Sequence, residues 1–336
     1  MPLSLQQLQA IQSDAMADDL DIDLEKMSLW TEEEATAYFE SGGQQEPLRM
    51  KPPPELSPVP KEELKKWFPR TLDAQLNPVY QQPPTFRMVC FHAAGCAESM
   101  WSGNGLRQPN PNPFVAHCKA AGGEMLACEL PGRELRRSEA RSQTYAPYVE
   151  QLYPVLAPLL VDGTPYVMCA HSMGTWFMYE LMKKLAATGV PLPKQCIISG
   201  FPPPDIPMKD RTWNKNRGMN DEEFKAELRG WNVNEVALVP NNFKMYSPMF
   251  RDDFTLFDEY TFSPLPDGIK DGFPVPFQVY YMIDDKRVKK EHVEGWKRFT
   301  SSTCDVYEAP GHHLAFFDIP ARAEYMKSAV SRLPAF

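Results

Sequence analysis

Six short apolar runs, most of them separated by helical patterns, set the tightest limit on what this chain can fold into. They are FRMVCF (Phe86–Phe91), EMLACEL (Glu124–Leu130), PYVMCA (Pro165–Ala170), QCIIS (Gln195–Ser199), FQVYYMI (Phe277–Ile283) and CDVYEA (Cys304–Ala309). Nearly continuous hydrophobicity over so few residues suits strands buried on both faces, as in a parallel sheet. Helical patterns lie between most of them: YAPYVEQLYPVLAPLL, MGTWFMYELMKKLAATG, KKEHVEGWKRF and a last one through ARAEYMKSAVSRL. Such alternation predicts an α/β fold, a mostly parallel sheet with helices on both faces. Between Ser199 and Phe277 no strand-like run occurs, and a structureless loop of that length is implausible. The stretch from about 201 to 274 is therefore expected to be a helical insertion over the C-terminal edge of the sheet, where ligands bind in open α/β folds.

The first part of the chain has another texture, acidic, proline-rich and poor in strand-like runs. Residues 1–66 are read as an extension, partly disordered or wrapped over the surface, with docking as the alternative; residues 67–336 are read as the α/β domain. Within the extension, WTEEEATAYFESGG suits a short helix capped by Thr31 and stopped by Gly42–Gly43. KPPPELSPVPKEELKKWFP suits a linker with one or two helical turns.

Composition narrows the function. A net charge of -9 disfavours nucleic acid as a partner, because phosphate neutralisation needs a basic surface. No apolar run approaches bilayer length, and the N-terminus lacks the basic start and apolar centre of a secretory signal, so no membrane association and a cytoplasmic location are expected. The seven cysteines form no C-x-x-C pair, and Cys90, Cys128, Cys169 and Cys196 fall in apolar runs. They read as reduced core residues; no metal and no cofactor is expected.

The third run leads straight into Ala170-His171-Ser172-Met173-Gly174 and then a helical pattern. A strand, a small-x-Ser-x-Gly turn and a helix form a nucleophile elbow, whose tight turn requires small residues two places either side of the serine. Ser172 is then a nucleophile rather than a polar residue at a junction. In an α/β-hydrolase the order is serine, acid, histidine. Of six histidines, His171 adjoins the serine and must point away, His117 and His292 lie in helical stretches, and His92 precedes the serine. APGHHLAFFD, after the last run, remains, with His313 favoured over His312 as the base because a turn at Gly311 faces it across the strand ends. The acid belongs at the end of the fifth run, where Asp284 and Asp285 point in different directions and only one can reach the histidine. The oxyanion hole takes the amide of Met173 and one from the loop FHAAGCAE, for which Ala93 is the candidate.

Several separated pieces together resemble one family, the stand-alone type II thioesterases of the α/β-hydrolase fold, which accompany polyketide and non-ribosomal peptide synthases. They are KWFPR, VCFHAAG, ELPGREL, CAHSMGTWFMYEL, IISG, DEEFKAELR, DDKRV with VEGWKRFT, and APGHHLAFFD, running in family order from about Trp67 to the C-terminus. The resemblance implies Ser172 as nucleophile, His313 as base and Asp285 as acid. The family's Gly-x-x-Asp is Met282-Ile283-Asp284-Asp285 here, which selects the second aspartate without the glycine. The family's proline after the first-strand phenylalanine is His92. It further implies hydrolysis of acyl groups from the phosphopantetheine arm of an acyl or peptidyl carrier protein, the expected partner. A carboxylesterase or acyl-CoA thioesterase would use the same triad, and a non-catalytic synthase adaptor is a third reading. The insertion becomes a lid, with Trp213, Phe224, Trp231, Phe243, Met245, Phe250 and Phe257 lining an acyl tunnel or forming the lid's own core. The segments GRELRRSEAR and KRVKK are the candidate basic surfaces for docking an acidic carrier.

Overall fold

A computed structural model of the chain describes residues 3–27, 30, 32–43, 56–103 and 112–336. Each of the six apolar runs forms a strand: β1 (Arg87–Phe91), β2 (Glu124–Ala127), β3 (Tyr166–His171), β4 (Gln195–Ser199), β5 (Phe277–Met282) and β6 (Cys304–Ala309). They make one parallel sheet in the order β2-β1-β3-β4-β5-β6. The order reverses at β1, between β2 and β3, the kind of switch point that opens a crevice at the strands' carboxyl ends. Along β1 and β3 the side chains alternate between two apolar clusters. Val89, Phe91, Met168 and Ala170 enter one, and Met88, Cys90, Val167 and Cys169 enter the other. That two-sided burial explains why the strands read as unbroken apolar runs.

Helices cover both faces. Against the first cluster pack α7 (Tyr145–Leu160) and α8 (Met173–Ala187); against the second pack α5 (Ser99–Ser102), α6 (Pro113–Ala120) and α13 (Ile319–Val330). A short α12 (Lys290–Val293) follows β5. The insertion is helical as expected, with α9 (Asp221–Gly230), α10 (Glu235–Leu238) and α11 (Pro240–Asp258). Six of its seven singled-out residues, Met245 excepted, are buried in the same cluster as Trp176 and Phe201 of the body. They join the insertion to the sheet face, while Met245 is exposed.

In the extension, Leu56, Val59 and Leu64 pack against the main cluster, while its earlier described residues are helical. These form α1 (Leu5–Asp14), α2 (Leu24–Met27) and α3 (Glu32–Glu40), and Leu3, Leu8, Ala17, Met27, Trp30, Ala35 and Phe39 make a small core of their own. Helical spacing of these few apolar residues is enough to close a cluster despite the acidic composition. Gly42 and Gly43, both at positive φ, follow α3 as expected. The Thr31 cap and residues 51–55 of the linker lie outside the described residues. The linker's predicted turns are α4 (Lys61–Trp67), whose Trp67 is buried in the main cluster. Among the described residues, no helix is long and apolar enough to cross a membrane.

Candidate active site

Ser172 is the hinge between β3 and α8, and its backbone is held at φ 53°, ψ -130°, a region an L-residue adopts only under constraint. The constraint is visible on both sides. Its amide donates to the Ser199 carbonyl at 2.9 Å. On the other side, a Cβ at Gly174 would stand 2.6 Å from the Phe91 carbonyl oxygen and 2.7 Å from that of His92. Glycine is therefore required for α8 to start this close to β1, and the closeness brings the loop after β1 beside the serine.

The loops after β5 and β6 supply the other two side chains. His313 Nε2 lies 2.9 Å from Ser172 Oγ, and His313 Nδ1 lies 2.6 Å from Asp285 Oδ2. A carboxylate only accepts, so Nδ1 carries the proton and Nε2 is left as the acceptor for the serine hydroxyl. Asp285 is fixed through its other oxygen, which accepts the amides of Arg287 at 2.8 Å and Val288 at 3.0 Å. Burial works to raise its carboxyl, but the His313 imidazole and these two amides outweigh it and hold the group below the ordinary carboxylate range. The other candidate at each loop stands apart from these contacts: Asp284 is exposed, and His312 is half-buried with Nδ1 accepting the Leu314 amide at 3.1 Å.

Three features were not foreseen. His171 does turn away from the serine, but it braces the site: Nε2 donates to the His313 carbonyl at 2.8 Å and Nδ1 lies 2.9 Å from Ser199 Oγ. Burial and the neighbouring His313 push it down to about 3, so it stays neutral and its tautomer is fixed by the carbonyl. Trp231, from the insertion, meets the His313 ring edge-on with centroids 4.6 Å apart. The third concerns the loop after β1. The Ala93 amide is directed at Met100 Sδ, 3.5 Å away, and the Gly95 amide donates to Asp253. Among the described residues the Ala94 amide, next to the expected Ala93, has no partner in the protein. Met173 opens α8, where an amide has no intrahelical acceptor.

Of one expected basic surface, Arg137 is exposed and the other three arginines are engaged within the protein. In GRELRRSEAR, Arg133 and Arg136 are buried, the first against Asp253 and the second over the Trp67 ring at 3.9 Å, while Arg141 pairs with Asp252 at 2.7 Å. Arg133 and Arg136 are internal fasteners, since their carboxylate and aromatic partners outcompete water. In KRVKK, Lys286, Lys289 and Lys290 are exposed, and Arg287 pairs with Glu227 at 2.8 Å.

A family model described as the thioesterase domain matches residues 86–324. The chain is 23% identical over 262 residues to the medium-chain S-acyl fatty acid synthase thioesterase of Homo sapiens, covering 76% of this chain and 89% of that protein. It is 26% identical over 198 residues to the gramicidin S biosynthesis protein GrsT of Aneurinibacillus migulanus, covering 58% and 73%. Among solved structures, the RedJ thioesterase from the prodiginine biosynthetic pathway in Streptomyces coelicolor shares the fold with a TM-score of 0.63 at 22% identity, over 80% of this chain and 93% of that one.

Proposed function

Because the chain belongs to the thioesterase domain family, we propose that it hydrolyses acyl thioesters on the phosphopantetheine arm of acyl or peptidyl carrier proteins, as a type II thioesterase of a polyketide, non-ribosomal peptide or fatty acid synthase. One observation carries the reading: Ser172 Oγ, the His313 ring and Asp285 Oδ2 stand in line at 2.9 and 2.6 Å on a strained turn. Ser172 attacks the thioester carbonyl while His313 Nε2 takes its proton, and Asp285 stabilises the resulting imidazolium. The amides of Met173 and Ala94 receive the negative oxygen. Collapse breaks the carbon–sulfur bond and His313 returns the proton to the leaving thiol. A water deprotonated by His313 then opens the acyl-serine, releasing the acid and restoring Ser172. None of these steps calls for a metal or a cofactor.

Ser172 is only 3% exposed and Trp231 of the insertion lies against the His313 ring, which supports an insertion that moves aside to admit substrate. The exposed Lys286, Lys289 and Lys290, beside the Asp285 loop, are the surface that suits an acidic carrier. The biosynthetic pathways named for GrsT and RedJ support the synthase setting. Seven free cysteines support the cytoplasm as the compartment.

Intact-protein mass spectrometry of an acyl-loaded carrier protein tests the reading. Wild type is expected to remove the acyl mass and Ser172→Ala to leave it in place; undiminished deacylation by the variant would rule out the nucleophile. Faster turnover of the matching acyl-CoA than of the carrier would move the substrate to the free thioester.

A further inference from the structure

Several polar contacts converge on one carboxylate of the insertion. Asp253, on α11 and fully buried, receives Arg133 through two nitrogens, at 2.8 Å to Oδ1 and 3.0 Å to Oδ2. Its Oδ2 also accepts the Gly95 amide at 2.8 Å. Arg133 in turn donates to the carbonyls of Cys96 at 3.1 Å and Pro131 at 3.4 Å. One residue earlier on α11, Asp252 takes Arg141 at 2.7 Å and Gln143 at 2.8 Å. The loop itself leaves no slack: Gly95 has φ +72°, and a Cβ there would stand 2.1 Å from the ring of Phe250 on the same helix. The loop from His92 to Cys96 is thus fastened to α11 as well as to the sheet.

A buried ion pair is weak evidence for a stabilising role, because well-packed apolar residues often do as well. An apolar pair cannot, however, supply an acceptor for the Gly95 amide. That amide adjoins the peptide unit whose N–H, at Ala94, has no partner among the described residues. Resting on the hydrolase reading above, we propose that Asp253 is a positioning residue for hydrolysis: it holds the loop so that the Ala94 amide meets the oxygen on which charge develops, and only while α11 is docked. Arg133 aims the carboxylate. Closure of the insertion and completion of the oxyanion hole are then one event. Displacing a single oxyanion donor costs roughly a hundredfold to a thousandfold in rate. The loss falls on kcat, because the acyl oxygen is charged only in the transition state.

Two paired variants separate the charge from the acceptor. Arg133→Met with Asp253→Asn removes the ion pair but keeps a side-chain carbonyl for the Gly95 amide; Arg133→Met with Asp253→Leu removes both. The readouts are steady-state kinetics on an acyl-N-acetylcysteamine thioester and affinity for an alkylboronic acid, which forms a tetrahedral adduct with an active serine. The asparagine pair is expected to lose about three- to tenfold in kcat, a neutral carbonyl being the weaker acceptor. The leucine pair is expected to lose about 30- to 300-fold in kcat, and boronate affinity in parallel, with KM within about threefold. Asp253→Glu, which keeps the charge but adds a methylene between helix and loop, is expected to fall between them and gives the same readout should the leucine pair not fold. Equal kcat in the two pairs, or a loss confined to KM, overturns the proposal while leaving the hydrolase reading intact. A folded wild type that turns over no thioester and binds no boronate removes that reading, and the proposal with it.

Discussion

Whether a hydroxyl at a strand–helix junction reacts depends on which nitrogen of the neighbouring imidazole holds the proton. Asp285 decides this by accepting from His313 Nδ1 at 2.6 Å. Asp285→Asn leaves the shape but can present its amide nitrogen to Nδ1, reversing the tautomer. A loss of about 10³- to 10⁴-fold in kcat is expected. Asp284→Asn, on the exposed neighbour, is expected to stay within about twofold; comparable losses in the two would mean that the acid has been misassigned. The serine was legible because its neighbours Ala170 and Gly174 carry a steric requirement that sequence displays directly. The acid was harder, since two adjacent aspartates differ only in direction. The loop after β1 was harder still: Ala93 and Ala94 are chemically alike, and the placement of Met100 Sδ beside the Ala93 amide is not legible in sequence.

At the level of elements, the six strands could be read because burial on both faces leaves an unbroken apolar signature, whereas the segment after β2 could not. Its charges look the same whether they face water or one another. Arg133 and Arg136 are internal, and so is Glu129. Burial and the neighbouring Glu134 carboxylate push Glu129 up to about 7, against roughly 4.3 in an unfolded chain. A carboxyl raised by folding binds its proton more tightly in the native state. Its contribution is therefore complete below about pH 4.3 and is lost as pH climbs through 7. Glu129→Gln, which mimics the protonated form, should match wild type in Tm near pH 4.5. It should exceed wild type by about 2 to 5 °C near pH 8, as followed by calorimetry across that range. A gap that is constant with pH would show that Glu129 does not titrate in this window.

For the molecule as a whole, charge is divided along the chain. The 44 acidic and 35 basic residues give the net -9, but residues 1–43 hold ten of the acidic ones and a single lysine, Lys26. The remainder, with 34 of each, is neutral. The described part of that acidic segment has its own apolar cluster, composed only of residues 3–39, while the sheet's two clusters draw on later residues. Sequence showed the acidity but not this small core, since seven apolar side chains among many polar ones do not announce which of them meet. If residues 1–43 fold apart from the sheet, removing them should leave the catalytic side chains and the body's packing unchanged. The shortened chain should then turn over a small acyl thioester with kcat/KM within about twofold of the full chain. Its main unfolding transition should move by less than about 3 °C, since no contact of the two large clusters is lost. It should also elute from an anion exchanger at distinctly lower salt, having lost the whole of the net charge. Aggregation or a collapse in activity would mean instead that the extension covers apolar surface of the body, and that the chain folds as one unit.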